Sequence, residues 1–311
     1  MAHSKMIPSD AGCLKPFFPY PGGKTADGRL HLAILDNLRP LVTMGREFRE
    51  LFVGAGGIFL SLAPYLPTGH PVWLNDLDSS VICLWRAVRD WPEELAHEAK
   101  RLWNPCVKLV FHMHKQTKRY CDPDGDKDVV LNQAVSKLVR QHFTRAGGKE
   151  RTPVKKNKLF STVEESLMAA HQQLARLKVR LTALHFRDVV KVRGKACMYL
   201  DPTYFVNGRK NYRKYMKVAE HTELRDLLFN CAHPWLLSYD DCAAVRRLYD
   251  VSQFLPVLKD GREQSIRVQG RTDEVFLCSR KSGMNGKTYR ELLLTTATVY
   301  RTINSQINSR L

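Results

Sequence analysis

The sequence predicts an α/β fold with a largely parallel sheet, interrupted by an inserted and mainly helical region. Apolar strand-like segments alternate with helical segments in the first part of the chain, and the alternation resumes near residue 196. Between them, residues 89–185 are polar and basic, and part of this region has helical spacing. Strands that alternate with helices pair in parallel, because each helix returns the chain to the same end of the sheet.

The first part of the chain contains one predicted βαβ unit. Its elements are a strand (47–52), the glycine-rich turn VGAGG (53–57), an apolar helix (58–66) and a second strand (71–76). Asp78 or Ser79 is expected to cap the helix that follows. Val81, Trp85 and Val88 recur in that helix at the spacing of a core-facing surface. This unit therefore predicts a buried sheet with a tight, glycine-rich turn at the end of its first strand.

The later elements are predicted from the same patterns. They are a helix with a capping-box start at Ser161 or Thr162 (161–181), a buried strand (196–200), a helix (219–232), a strand (234–239), a helix (242–250), two strands that pair as a hairpin (265–270 and 273–279) and a C-terminal helix from about residue 287. The acidic segment DPDGDKD (122–128) predicts an exposed turn rather than a calcium loop, and no metal is expected.

The charge of the chain indicates a polyanionic partner. The formal net charge is +18, and residues 100–160 hold 15 Lys or Arg against 5 Asp or Glu. A basic region of this size favours nucleic acid, and the alternative is a solvated basic surface. The eight cysteines are scattered without a CxxC pair, which argues against a disulfide framework or zinc site and fits a reducing cytosol. No run approaches 18 apolar residues, so we expect no membrane span.

The glycine turn and the acid after the second strand predict an adenosine-type cofactor. Glycine allows the backbone to approach a ligand closely, because it has no Cβ atom. Asp76 follows Gly54 by 22 residues and ends the next strand, where a carboxylate can accept hydrogen bonds from a ribose diol. The full G-x-G-x-x-G spacing is absent, since residue 59 is Phe. A cofactor without a pyrophosphate, such as S-adenosylmethionine, fits this pattern better than a dinucleotide.

Five sequence blocks, in the same order, resemble the Dam-like class-α adenine-N6-specific DNA methyltransferase family. They are FPYPGGK (18–24), ELFVGAGGIFL (50–60), LNDLDSSVICLWRAVR (74–89), YLDPTY (199–204) and WLLSYDDCAAVRRLY (235–249). The chain departs from the family pattern at four positions. Tyr20 replaces a tryptophan, Leu51 a proline and His185 an acid, and Thr203 replaces the second proline of the catalytic Asp-Pro-Pro-Tyr block.

The resemblance implies a Rossmann-like S-adenosylmethionine-dependent methyltransferase fold with an inserted, mainly helical target-recognition domain. Composition and the resemblance together predict four divisions: a flexible leader (1–14), the first part of the catalytic domain (15–88), the basic inserted domain (89–185), and the second part of the catalytic domain with the DPTY block and a C-terminal helix (186–311). The implied cofactor is S-adenosyl-L-methionine. The residues expected to bind it are Tyr20, Gly22, Gly23, Lys24, Glu50, Phe52, Gly54, Gly56, Asp76, Phe186 and Asp201.

The resemblance also implies how the adenine amine is activated. The implied catalytic residues are Asp201, Pro202, Thr203 and Tyr204. The Asp201 carboxylate and the Pro202 carbonyl would accept hydrogen bonds from the amine, and Tyr204 would stack on a base flipped out of the duplex. The expected DNA contacts are Arg140, Phe143, Arg145, Lys149, Arg151, Lys155, Lys156, Arg209, Lys210 and Arg213.

The expected partner is double-stranded DNA, without a membrane, and the protein is expected to be a monomer. A cognate restriction enzyme is a further partner that the resemblance allows. An RNA adenine methyltransferase and a protein-amide methyltransferase use similar acid-proline-aromatic chemistry, although the block order and the basic insert disfavour a protein substrate. Another alternative is a non-catalytic binding protein, related to the family, that kept the cofactor fold and lost its activity through the change to DPTY.

Overall fold

The computed structural model describes residues 14–20, 28–144, 159–205, 208, 214–240 and 242–249, and the backbone of four later strands between 254 and 296. The helices are α1 (Gly28–Thr43), α2 (Gly57–Leu62), α3 (Ser79–Asp90), α4 (Pro92–Arg101), α5 (Val107–Gln116), α6 (Lys127–Phe143), α7 (Phe160–Arg176), α8 (Phe186–Val190), α9 (Val218–Phe229) and α10 (Ala243–Leu248). The strands are β1 (Glu47–Glu50), β2 (Pro71–Asn75), β3 (Lys178–Thr182), β4 (Ala196–Leu200), β5 (Trp235–Asp240), β6 (Phe254–Pro256), β7 (Glu263–Val268), β8 (Glu274–Ser282) and β9 (Thr288–Thr296).

The described strands form one sheet in the order β3-β2-β1-β4-β5-β9-β8-β7-β6. The first five are mutually parallel, and the last four continue the sheet in antiparallel pairs. The chain leaves β1 toward β2 on one side and returns to β4 on the other. In parallel sheets, ligands bind beyond the carboxyl ends of the strands at such a reversal. The predicted α/β fold is confirmed.

The central strand β4 is apolar because both of its faces are covered, whereas β1 and the edge strand β3 contain charged residues. All five residues of β4 are buried, and Phe48 of β1 is fully buried. Asp78 caps α3 by accepting a hydrogen bond from the Ser80 amide, as predicted. The predicted core face of α3 is confirmed as well, because Val81, Trp85 and Val88 are fully buried.

The middle region packs directly on the sheet domain. Helices α6 and α7 lie against α3, and α4 and α5 lie against α6. Leu138 of α6 and Leu167 of α7 belong to the same hydrophobic core as Phe48 and Leu74 of the sheet. Strand β3, which also falls within residues 89–185, pairs with β2. The division of the chain into domains stays a prediction, but the described part of this region shares the core of the sheet.

Two predicted elements are wrong in detail. Residues 288–296 form strand β9 between β5 and β8 rather than a C-terminal helix. The leucines and threonines of this segment are compatible with a strand as well as with a helix. Pairing with the neighbouring strands β5 and β8 makes the segment a strand. The predicted helix 161–181 is wrong at both ends. It has no capping box, because it begins at Phe160, whose ring packs on Trp103, and this places Ser161 and Thr162 inside the helix. It ends at Arg176, and residues 178–182 form strand β3, which pairs with β2. The predicted late hairpin is confirmed as β7 and β8.

None of the helices that the structure describes combines the length and apolar composition needed to cross a lipid bilayer.

Candidate active site

A pocket lies at the carboxyl ends of β1, β2 and β4, where the strand order reverses. Its walls come from the ends of these three strands and the loops after them, from residues 184–186 after β3, from the N-terminal segment 14–20, from α6 and from residues 214–220. Gln141 of α6 holds the N-terminal segment by donating to the Pro19 carbonyl at 3.1 Å, and the His142 ring contacts the Phe17 carbonyl at 2.9 Å. Segments that are far apart in sequence therefore meet around one cavity.

The glycine-rich turn after β1 forms the floor of the pocket. Gly54 and Gly56 have φ angles of 47° and 64°, which are in the left-handed region that favours glycine. A Cβ atom on Gly54 would lie 2.8 Å from the Tyr20 ring, and one on Gly56 would collide with Trp85. The Trp85 indole also donates to the Gly54 carbonyl at 2.9 Å. The turn is therefore fixed between two aromatic side chains.

The Asp76 carboxylate organises the loops at the ends of β1 and β2. One oxygen accepts from the Gly54 amide at 3.0 Å, and the other accepts from the Asp78 amide at 2.8 Å. Burial and the nearby Asp78 charge raise the pKa of Asp76 to about 6, although both hydrogen bonds and Lys137 act in the opposite direction. Asp76 is thus mostly ionised at neutral pH, close to the point where it would take up a proton.

A buried ion pair connects α6 to the start of α3. The Lys137 ammonium lies 3.1 Å from an Asp78 oxygen, and both side chains are at least nine-tenths buried. The same ammonium lies 5.7 Å from the centre of the Tyr20 ring. Lys137, Asp78 and Tyr20 all line the pocket. The inserted region therefore contributes a charged group to the wall of the pocket.

Aromatic and polar side chains from three loops complete this wall. Phe52 and Phe186 face each other with ring centres 6.0 Å apart. His185 lies against Phe186, and its Nε2 atom is 3.2 Å from a Glu220 carboxylate oxygen. Glu50 is buried, and it accepts a hydrogen bond from the Phe59 amide at 3.0 Å. Two flat apolar rings and several carboxylates are thus presented to the same cavity.

The DPTY block follows β4 and lies beside the end of β5. One Asp201 carboxylate oxygen accepts a hydrogen bond from the Ser238 hydroxyl at 2.9 Å. The Thr203 hydroxyl accepts from the Met216 amide at 2.9 Å. Asp201 and Thr203 line the pocket, whereas Pro202 is buried and Tyr204 is half-buried beside it. A proline at position 203 would lack the hydroxyl that holds Met216.

The pocket is acidic although the chain is strongly basic. Among the described residues, five acids line it against three Lys or Arg. The acids are Glu50, Asp76, Asp78, Asp201 and Glu220, and the bases are Lys137, Arg140 and Lys214. A chain of net charge +18 thus surrounds this cavity with an excess of carboxylates. Such a cavity favours a ligand that carries positive charge.

The structure brings most of the described site candidates together. The pocket is lined by Tyr20, Glu50, Phe52, Gly54, Gly56, Asp76, Phe186, Asp201 and Thr203. Two predicted DNA contacts lie elsewhere than expected. Arg140 is buried and lines the pocket, and Phe143 is buried in the core with its ring 4.9 Å from Trp103. Phe143 is therefore placed as a core residue instead of an exposed contact.

Several candidates lie outside the described residues. They are Gly22, Gly23 and Lys24 of the expected cofactor site, and Arg145, Lys149, Arg151, Lys155, Lys156, Arg209, Lys210 and Arg213 of the expected DNA-binding surface.

Sequence reasoning missed Lys137, Ser238 and Met216. A signal for Lys137 was present, because a lysine among the apolar residues of AVSKLV is placed toward the interior by helical spacing. Ser238 lies in the fifth sequence block, but pattern alone does not give its partner. Met216 contributes through its backbone amide, which every residue except proline has, so the residue type did not indicate this role.

A family model of D12 class N6 adenine-specific DNA methyltransferases matches residues 20–262 of the chain. The matched range begins at Tyr20 and includes every element of the pocket from the glycine turn to β5. A search of curated proteins gave no significant match.

Proposed function

The chain belongs to the D12 class N6 adenine-specific DNA methyltransferase family, and we propose that it binds S-adenosylmethionine in the pocket at the ends of β1, β2 and β4. The protein is an enzyme that methylates adenine in DNA. The proposal extends to double-stranded DNA as the substrate and to an adenine flipped out of the helix. The observation that carries it is the meeting of Asp76 and Asp201 in one pocket.

The chemistry of the pocket residues fits S-adenosylmethionine. This cofactor supplies an activated methyl group on a positively charged sulfonium, and it also carries an ammonium, a carboxylate, a ribose and an adenine. The excess of carboxylates suits the two positive groups. Lys137 and Arg140 supply positive charge for the carboxylate, and both line the cavity. Phe52 and Phe186 offer apolar ring surfaces of the kind that an adenine packs on.

Asp76 is proposed to accept hydrogen bonds from the ribose hydroxyls. Its two oxygens already accept backbone amides that shape the turn, and a carboxylate has further lone pairs for additional donors. Asp76 would thus link the bound ribose directly to the conformation of the glycine turn. This assignment also explains why a buried acid is placed at the end of β2.

Asp201 and the Pro202 carbonyl are proposed to accept hydrogen bonds from the adenine amine. The lone pair of this amine is delocalised into the ring, which makes it a weak nucleophile. Two acceptors favour a tetrahedral nitrogen with a localised lone pair, and they are fixed in place before the base arrives. Tyr204 is proposed to stack on the flipped base, which offsets part of the few kcal/mol that unstacking costs.

The basic residues near the insert are proposed to contact the DNA backbone. The described lysines and arginines of α4 and α5 are exposed, among them Lys100, Arg101, Lys108 and Lys115. Phosphate contacts of this kind supply affinity without sequence readout. A monomeric state and a cognate restriction enzyme stay predictions from the family resemblance.

The test is methyl transfer from labelled S-adenosylmethionine to adenine-containing duplex DNA, with single-stranded DNA and RNA of the same sequence in parallel. Wild-type protein should methylate duplex DNA at N6. Asp201→Ala should lower the rate by orders of magnitude, far more than it weakens S-adenosylhomocysteine binding in calorimetry. Asp226→Ala, which removes an exposed acid on α9, is the matched control. Preferential transfer to RNA, or full activity of Asp201→Ala, would overturn the proposal.

A further inference from the structure

We infer that Ser238 and Tyr199 form a directed hydrogen-bond relay that positions the catalytic carboxylate of Asp201. The inference rests on the role proposed above for Asp201, and it adds two positioning residues to that role. Ser238 lies on β5, whereas Tyr199 and Asp201 lie at the end of β4. The relay therefore crosses between two neighbouring parallel strands.

The direction of the relay follows from the number of hydrogens. The Ser238 hydroxyl lies 2.9 Å from an Asp201 oxygen and 3.0 Å from the Tyr199 hydroxyl. An ionised carboxylate can only accept, so the single hydroxyl hydrogen of Ser238 points to Asp201. The Tyr199 hydroxyl must then donate to the Ser238 oxygen. The order is Tyr199 to Ser238 to Asp201.

Burial makes this relay stiff. Ser238 is fully buried and Tyr199 is 1% exposed, so water does not compete for their hydrogen bonds. Asp201 is only partly buried and lines the pocket, so its carboxylate could otherwise rotate about the Cβ–Cγ bond. A donor fixed by the sheet on one oxygen limits that rotation. The carboxylate is then held in one orientation before the adenine amine arrives, which is the condition for efficient positioning.

Substitutions on the two strands separate positioning from folding. Ser238→Ala should lower kcat about 10- to 100-fold, the range for losing a hydrogen bond to a charged group. The KM for DNA and the Kd for S-adenosylhomocysteine should change much less than kcat, because the Asp201 carboxylate is still present and most proposed contacts of either ligand are made by other residues. Ser238→Thr, which keeps the hydroxyl, should recover most of the rate. Ser238→Cys keeps the size but has a weak donor and should fall between the two.

A double-mutant cycle tests the order of the relay. Tyr199→Phe should lower kcat less than Ser238→Ala, since Ser238 can still donate to Asp201. The Tyr199→Phe and Ser238→Ala double variant should be no slower than Ser238→Ala alone, because Tyr199 acts through Ser238. Ser136→Ala is the matched control, as Ser136 is buried on α6 and donates to Gln116 at 2.9 Å away from Asp201.

The outcomes distinguish this inference from the proposed function. If Asp201→Ala is inactive while Ser238→Ala keeps its kcat within about twofold of wild type, the relay is refuted and Asp201 stays catalytic. Additive losses in the cycle, or a Ser238→Ala loss no larger than that of Ser136→Ala, would also refute it. If Asp201→Ala itself remains active, the failure lies in the proposed function. Thermal unfolding of each variant identifies any that fail to fold, and if Ser238→Ala is one of them, Ser238→Cys, with its weak donor, serves as the test of the hydroxyl.

Discussion

At the scale of single residues, the site depends on polar groups that are held by backbone amides. Asp76 accepts two of them, Glu50 accepts one, and Thr203 accepts the Met216 amide. Each acceptor fixes a loop at the edge of the sheet while lining the pocket. A change at one of these positions therefore affects both the shape of a loop and the ligand beside it.

The raised pKa of Asp76 predicts a pH dependence of cofactor binding. Because its pKa is about 6, the carboxylate is ionised above that pH and takes up a proton below it. The affinity for S-adenosylhomocysteine should fall by about tenfold from pH 7.5 to pH 5, since the protonated group accepts fewer hydrogen bonds. Calorimetry across this range checks it. Asp76→Asn should bind weakly at both values, and a wild-type profile as flat as that of the variant would contradict the prediction.

The same shift has a consequence for folding stability. The folded pKa lies above the ordinary value of 3.8. The folded state therefore binds more protons than the unfolded state between these values. The contribution of Asp76 to stability is fully present below about pH 4 and is lost as the pH rises through about 6.

The Thr203 hydroxyl is expected to support catalysis through its bond to Met216. Thr203→Val keeps the branched shape and removes the hydroxyl acceptor, whereas Thr203→Pro removes the hydroxyl and restores the residue of the family pattern. Both should slow methyl transfer by less than about tenfold, or roughly 1.4 kcal/mol of barrier, whereas Thr203→Ser should stay near wild type. Single-turnover kinetics measure the step. A Thr203→Pro protein faster than an inactive wild type would show that the DPTY block had lost its activity.

At the scale of elements, α6 links the N-terminal segment, the start of α3 and the pocket. Gln141 and His142 hold the N-terminal segment, and Lys137 pairs with Asp78 at the cap of α3. The Asp78 carboxylate also accepts from the Ser80 amide and hydroxyl. The helix is therefore both a core element and a source of pocket charge.

Breaking the buried pair should destabilise the protein strongly. Lys137→Met leaves the buried Asp78 without its cation, next to Asp76, and should cost about 3–5 kcal/mol of unfolding free energy. The matched control is Lys127→Met on the same helix. It removes an exposed pair with Glu94 and should cost less than about 1 kcal/mol. Urea titrations of both variants measure the difference in unfolding free energy. Equal losses of stability in the two variants would show that the buried pair contributes no more than the exposed pair.

The sequence predicted those strands and helices that are marked by residues adjacent to them in the chain. Strands β2, β4 and β5 have apolar runs that end at turns or acids, β1 leads into the glycine turn, and Asp78 marks the start of α3, so their existence and order followed from the sequence. The missed features depend on partners. Strand β9 is a strand because β5 and β8 flank it, and α6 contributes Lys137 because α3 packs on it. The hydrogen bond of Met216 comes from its backbone, which no residue pattern marks.

At the scale of the whole molecule, charge is separated between the pocket and the outer surface. The cavity has an excess of carboxylates, while lysines and arginines of α4 and α5 are exposed. Repulsion would keep phosphates away from the cavity and attraction would draw them to the basic surface. Under the proposed function, the DNA backbone is thus directed to the outer surface, whereas the cofactor and the flipped adenine enter the cavity.

Residues of the predicted basic loop should dominate the salt dependence of DNA binding. Lys149, Arg151, Lys155 and Lys156 lie outside the described residues, and the prediction follows from their charge. Replacing all four by glutamine should reduce the slope of log affinity against log salt by about 3–4, near 0.9 for each lost phosphate contact. Fluorescence anisotropy at several salt concentrations measures it.

Four exposed cations at the opposite edge of the sheet serve as the control. Lys178, Lys191, Arg193 and Lys195 are exposed and lie at the amino ends of β3 and β4, away from the pocket. Their replacement should leave the slope nearly unchanged. A loop variant that keeps the wild-type slope would place the phosphate contacts elsewhere, and residues 208–217 would be the next region to test.

The acidic cavity has a consequence for turnover. Under the proposed cofactor assignment, methyl transfer converts a charged sulfonium into a neutral thioether, so the spent cofactor has lost one of the positive groups that the five carboxylates attract. The electrostatic match is therefore better before the reaction than after it. The cavity should therefore favour S-adenosylmethionine over S-adenosylhomocysteine more strongly than a neutral cavity would, and this limits product inhibition.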